Sequence, residues 1–191
     1  MSVFKPINST MKKTLIIISL WFMQVQVSSA NDQVMAVRNL FYSATVSSDS
    51  ADVFLVKMQA LNKGNSAFII GYEGMAHLMI CYHSFNPYAK WKNFVKGKSL
   101  IEKAIEKDST NIELRFLRLS VQLNTPSFLS YSSNINEDKA YIFKNISLVS
   151  DEDLFKRIYN YTLQAKKITQ EEKNTMKQAL AKNQYAKATT N

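Results

Sequence analysis

Glu73, His77 and Cys81 stand four residues apart in a segment whose apolar pattern predicts a helix. At 3.6 residues per turn they share one slowly drifting face, and each can ligate zinc. The set is incomplete as a metal site. One helix offers at most two well-placed ligands, His83 points elsewhere on the same helix, and neither an HExxH nor a CxxC spacing occurs. The alternative is a polar seam between packed helices, with Glu73 paired to a base from a neighbour. A second group, Arg115, Arg118 and Gln122, lines one face of an otherwise apolar helix. Guanidinium forks suit carboxylate and phosphate alike, so the two arginines are candidates for an anion-binding pair. The reading to expect first is a buried salt-bridge lock, because an unpaired buried charge destabilises strongly. Glu73, Glu102, Glu113 and Asp138 are the available carboxylates. A third group, Tyr82, Phe85, Tyr88 and Trp91, surrounds Pro87. Such aromatics either stack on a carbohydrate or peptide or pack as core at a helix corner. No Gly-x-Ser-x-Gly, Walker loop or dinucleotide fingerprint is present. The sequence therefore nominates no catalytic residue and no cofactor, and the expectation is a non-enzyme.

These side chains must be positioned by helices. Only four glycines and three prolines occur in 191 residues, far too few turn formers for an all-β chain, and the apolar periodicity is helical nearly throughout. It predicts eight helices over 32–46, 50–62, 66–84, 87–107, 111–124, 135–149, 151–166 and 169–185. The third is apolar on most faces and belongs at the centre of a domain. Ser47–Ser50, Asn86-Pro87, Thr110-Asn111, Asn134 or Asn136, Ser150–Asp153 and Thr169–Glu172 supply corners and caps. Gly64 is expected to close the second helix in a left-handed conformation, and Gly97 to let a neighbouring backbone approach closely. Corners of two to six residues make successive helices antiparallel neighbours. The predicted architecture is all-α, either a right-handed stack of helical hairpins or an irregular α-bundle. No linker-like stretch divides 31–186, so it reads as one domain, with 187–191 fraying.

The N-terminus gives an address. Lys12 and Lys13 precede the apolar run from Leu15 to Met23, which fades into Ser28-Ser29-Ala30. A basic start, a short apolar centre and small residues before the break form a secretory signal peptide over 1–30, and Met11 is a better start for it than Met1. The run is shorter than the about 20 apolar residues a membrane span needs. Export to the periplasm or outside the cell is the expected address. Segment 67–80 is the nearest later candidate for a span, but Glu73 and His77 interrupt it.

The chain carries 24 basic and 15 acidic residues. Lys5, Lys12 and Lys13 fall in the leader, leaving 21 basic against 15 acidic residues, a net +6. Lysines mixed with glutamates along helices, as in 98–107, read as solvated faces and not as the clustered patch of a nucleic-acid binder. Cys81 is the only cysteine, so no internal disulfide forms; in its apolar setting it reads as a small buried hydrophobe.

Residues 97–111, Gly-Lys-Ser-Leu-Ile-Glu-Lys-Ala-Ile-Glu-Lys-Asp-Ser-Thr-Asn, resemble the second helix and closing corner of a tetratricopeptide repeat. Gly97 falls at the first small position, Ile101 at the large one and Ala104 at the second small one, with Ser109 where the repeat has proline. The likeness covers about half of one repeat. The stretch 97–142 is also similar to small exported helical proteins of Bacteroidetes-type bacteria, through 113–118, 126–131 and Asp138-Lys139. The resemblance implies an envelope setting and a stacked-hairpin fold. Stacked hairpins make grooves that hold segments of partners. The expected function is thus an exported helical interaction or scaffold protein of the cell envelope with a protein or peptide partner. The alternative is a periplasmic carrier of a small amphiphilic or anionic ligand, its pocket lined by the third helix with Arg115 and Arg118.

Overall fold

The computed structural model describes residues 30–189. The Met11 start and the segment 1–29 read as a signal peptide lie outside the described residues, as do 190 and 191. The described chain is all-α, with eight α-helices, three short 3₁₀ turns and no strand among the described residues. Helix α1 occupies residues 30–46. It is followed by α2 Ser48–Leu61, α3 Ala67–His83, α4 Pro87–Lys107, α5 Ile112–Asn124, α6 Ile135–Asn145, α7 Glu152–Gln164 and α8 Gln170–Thr189.

Local chemistry sets these boundaries. Unpaired amides at a helix start need acceptors, and the sequence supplies them. Ser47 caps α2 through the Ser50 amide, and Asn86 caps α4 through the amides of Tyr88 and Ala89, with Pro87 in the first turn. Asn111 caps α5 and Asp151 caps α7 in the same way. Thr169 and Glu172 form a reciprocal capping box before α8: the Thr169 amide donates to Glu172 Oε2 at 2.8 Å and the Glu172 amide to Thr169 Oγ1 at 3.2 Å.

Most boundaries lie within two residues of the predicted ones, and three departures have local reasons or run further. A 3₁₀ turn, Asn62–Gly64, extends α2, so the left-handed residue is Asn65 at φ 51° and not Gly64; asparagine tolerates that region because its short side chain bonds locally. The sixth helix stops at Asn145 and tightens into the 3₁₀ turn Ile146–Leu148. The eighth runs on to Thr189, past the predicted start of fraying at Lys187.

Helices α3 and α4 pack backbone to backbone. A Cβ placed on Gly74 would lie 2.8 Å from the Gly97 carbonyl oxygen, and one on Gly97 would lie 2.7 Å from that of Gly74. The two glycines are the reason this pair approaches so closely. Ile69, Ile70, Tyr72, Met75, Ala76 and Leu78 of α3 are all buried, which makes α3 the central helix its composition predicts.

Two apolar clusters flank α5. Leu114 and Leu117 join the cluster built by α1 to α4, while Leu119 and Leu123 join the one built by α6 to α8. One amphipathic helix thus serves two cores. Helices distant in sequence also meet. Arg38 of α1 reaches the first turn of α5 and the start of α7, a long-range closure unlike an open array in which each hairpin touches only its neighbours.

Candidate functional site

Two charged networks hold the helices together. In the first, Arg38 is 2% exposed, and its Nε and Nη2 each donate to a carboxylate oxygen of Glu113 at 2.7 Å. Its Nη1 lies 2.8 Å from Asp151 Oδ2 and 3.0 Å from Asp153 Oδ2. The Tyr72 hydroxyl donates to Glu113 Oε1 at 2.6 Å. Burial alone would lower the Arg38 pKa, but Glu113 and Asp151 outweigh it and hold it above the ordinary value. Burial and then Glu113 push the Tyr72 phenol well up.

In the second network, Asp138 of α6 is fully buried. It accepts from Arg118 Nε at 2.7 Å, Arg118 Nη2 at 2.8 Å and Arg115 Nη1 at 3.0 Å. Arg118 also reaches Glu102 at 2.8 Å, and Arg115 reaches Glu137 and the Ser109 carbonyl while its guanidinium lies over the Tyr141 ring. The Tyr131 hydroxyl completes the set by donating to Glu102 Oε1 at 2.6 Å. Burial and the Glu102 carboxylate push the Tyr131 phenol well above its ordinary range. The arginine pair singled out in the sequence is therefore brought together, and its donors point at carboxylates. Gln122 joins that side through Asn134 at 3.3 Å.

Two of the four proposed carboxylate partners go elsewhere. Glu113 pairs with Arg38 because it sits two residues before Arg115, and side chains two apart on a helix do not face each other. Glu73 accepts from the Asn62 amide nitrogen, which is no base. Arg38 was not among the sequence candidates. Its signal was its place on the side of α1 that carries Val37 and Phe41, which packs against the first cluster.

Glu73, His77 and Cys81 face separate neighbours. His77 Nδ1 lies 2.8 Å from Asn93 Oδ1 of α4, and Asn93 in turn donates to the Ala89 carbonyl. Cys81 is half-buried against the first cluster, and burial raises its thiol pKa, with Lys90 working in the opposite direction. No group of three or more His, Cys, Asp and Glu side chains able to hold a metal occurs among the described residues.

The aromatic corner differs most from a core reading. Tyr82 is 69%, Phe85 100%, Tyr88 74% and Trp91 57% exposed. Only Phe94 turns inward, its ring edge-on to Tyr131 at 6.1 Å. The reason is the close pairing of α3 with α4. Gly97, Ile101 and Ala104 take the inner side of α4, so the stripe of Tyr88, Trp91 and Val95, three and four residues apart, must face out. In the connector between α5 and α6, Leu129 and Tyr131 pack against the first cluster while Phe128 stays exposed.

Beside this stripe, Trp91, Phe94, Val95, Lys98, Ser99, Glu102 and Leu129 line an open groove of about 260 Å³. Lys98 Nζ lies 4.8 Å from the Tyr131 ring centre. The corner is held firmly. His83 Nε2 donates to the Ala44 carbonyl of α1 at 2.8 Å, and Asn86 caps the helix that follows. A second open groove, about 560 Å³, lies between the C-terminal ends of α5 and α7. No family model, curated protein or solved structure matches this chain.

Proposed function

We propose that this chain is a non-enzymatic, exported helical scaffold of the cell envelope. It docks onto an anionic partner surface through the α3–α4 corner and the outer stripe of α4. The observation that carries the reading is the exposure of Tyr82, Phe85, Tyr88 and Trp91 on a rigid corner beside Lys90, Lys92 and Lys96. Aromatic residues clustered at a surface are the usual anchors of an interface. The leader-like residues 1–30 and the resemblance of 97–111 to half a tetratricopeptide repeat support the envelope setting and the scaffold role. The non-enzymatic part draws support from Arg38, Glu113, Arg115, Arg118 and Asp138, buried charged side chains that are spent on one another in the two arginine networks, and from Glu73, which is taken up by Asn62. The carrier alternative draws less support: Arg115 and Arg118 face Asp138, and both grooves are open.

The test is protection in place. In a Cys81→Ser background, Tyr88→Cys and Val53→Cys each introduce one exposed thiol, the second on the far side of the pair in α2. The purified protein is labelled at both by a membrane-impermeant maleimide. In the intact envelope the thiol at 88 is protected while that at 53 stays reactive. Equal labelling at 88 in both settings overturns the docking reading.

A further inference from the structure

We infer that the anionic surface at this corner is a lipid bilayer, with Phe85, Tyr88 and Trp91 as interfacial anchors and Lys90, Lys92, Lys96 and Lys98 as contacts to lipid phosphate. The inference rests on the docking reading above and names its partner. Charge is the first argument. From residue 74 to residue 101 the chain has 28 consecutive positions without an aspartate or glutamate, and these four lysines fall within them. None of the four makes an ion pair among the described residues. A stretch without acids whose lysines make no ion pair is complementary to an anionic leaflet, whose attraction acts on each lysine near it; Glu102, in the groove beside it, is held by Arg118.

Shape is the second argument. Phe85 sits between α3 and α4 at the apex of a helical hairpin and is fully exposed. A protein partner buries its anchors in matched pockets, and the groove of about 260 Å³ along α4 beside this corner is open. A protruding apex suits a soft, flat partner that yields to it.

Residue chemistry is the third. Tyrosine and tryptophan favour the headgroup level of a bilayer, where the ring is apolar and the polar edge stays wet. At 100° per residue, Tyr88, Trp91 and Val95 form one stripe of α4, with Lys92 and Lys96 along one edge and Lys98 along the other. Apolar stripe and flanking lysines together are the arrangement of a helix lying in an interface, its lysine stems reaching up to phosphate. No helix among the described residues is long and apolar enough to cross a membrane, so the contact is peripheral. Phe128, also exposed and next to the groove-lining Leu129, widens the apolar footprint. Because His83, Asn86 and Pro87 already fix the corner, docking requires little ordering of the chain.

Trp91 is a built-in reporter. The chain has two tryptophans, and Trp21→Phe in the full chain leaves Trp91 alone. Its emission is followed on adding vesicles of equimolar phosphatidylglycerol and phosphatidylcholine. The emission is expected to move to shorter wavelength, to be quenched by lipids brominated on their acyl chains, and to return at high salt. Lys92→Gln with Lys96→Gln lowers partitioning about 30-fold, at roughly fivefold per lysine. Phe85→Ser lowers it further with far-UV circular dichroism unchanged. Comparing variants in one background removes any contribution of the leader.

The proposal is overturned if Trp91 emission stays fixed while the protein sediments with vesicles. It is equally overturned if vesicles of phosphatidylcholine alone act as well, or if an acidic Glu/Tyr copolymer shifts Trp91 where vesicles do not. Should vesicles fail while position 88 remains protected in the envelope, the lipid is wrong and the docking face stands. Should both fail, both readings fall.

Discussion

Replacing Arg38 by methionine tests the first network and, with it, the closure of the chain. The guanidinium spends both sides of its fork on Glu113 and its remaining nitrogen on Asp151 and Asp153. Methionine keeps most of the apolar stem, so the loss is charge and hydrogen bonds more than packing. What remains is Glu113, 5% exposed, with the Tyr72 hydroxyl as its one other side-chain partner among the described residues. Removing one partner of a buried ion pair costs about 3–5 kcal/mol. For a domain of this size that lowers Tm by roughly 6–20 °C, at about 2–4 °C per kcal/mol. The readout is urea unfolding followed at 222 nm, for Arg38→Met, Glu113→Gln and the pair. Because the two side chains share one interaction, Glu113→Gln should restore part of the loss in the Arg38→Met background, a coupling of about 1–3 kcal/mol. Arg38→Lys should not rescue, since an ammonium cannot serve a bidentate carboxylate and two further acids from one position. A loss under about 1 kcal/mol for Arg38→Met, or simple additivity in the pair, would refute the reasoning.

Two further outcomes follow from packing and charge. Gly74→Ala gains about 1 kcal/mol of helix propensity, yet its Cβ would sit 2.8 Å from the Gly97 carbonyl oxygen. Backbone cannot step aside as a side chain can, so a net loss of about 1–3 kcal/mol is expected in thermal melts; a raised Tm would mean the two helices part freely. For pH, Arg115 and then Asn134 hold Glu137 below the usual carboxylate range. Burial opposes but Arg157 and Arg38 hold Asp153 low. In Glu172, burial is likewise overcome, by the Thr169 amide and Lys139. Depressed folded-state values mean stability that is present above the unfolded pKa of about 4 and lost as pH falls below it. Melting temperature should therefore be flat from neutrality to about pH 5 and fall below about pH 4, and Asp153→Asn should blunt that fall. An equally steep fall in Asp153→Asn would assign the acid sensitivity elsewhere.

Much of the fold is legible because helix ends are local. Asn86-Pro87, Asn111, Asp151 and Thr169 stop and start helices through bonds reaching only two or three residues, so sequence alone locates them. Gly97 is legible for a related reason: a glycine inside a helix needs a close neighbour to justify it. Pairing across the fold is different. Asp138 and Glu102 could be named as partners for Arg118, but that Glu113 belongs to Arg38, 75 residues away, depends on topology that periodicity does not encode. The aromatic corner shows a second limit. Helix α4 carries two apolar stripes, Phe94–Gly97–Ile101–Ala104 and Tyr88–Trp91–Val95, and both have helical spacing. Which one turns inward is decided by the glycine contact with α3, not by hydrophobicity; Trp91 is more apolar than Gly97 and faces out.

The division between arginine and lysine connects the interior to the surface. The chain has four arginines, and every one is paired to carboxylates: Arg38, Arg115, Arg118 and Arg157. Between them they hold Glu102, Glu113, Glu137, Asp138, Asp151 and Asp153. Four positive charges thus bind six negative ones, so the networks carry more acid than base. Outside them and beyond residue 30, 17 lysines face nine acids, a net of +8 where the same stretch as a whole has +6. Braces that stabilise the fold therefore leave the rest of the surface more basic than composition alone indicates. That excess is not spread evenly. Lysines such as Lys103 stand among glutamates, which is all that solubility asks, whereas the stretch from 74 to 101 has none. The same stretch exposes Tyr82, Phe85, Tyr88 and Trp91. Solubility alone favours neither the missing acids nor the bare aromatics, and a surface that seats against phosphate and apolar chains at once favours both.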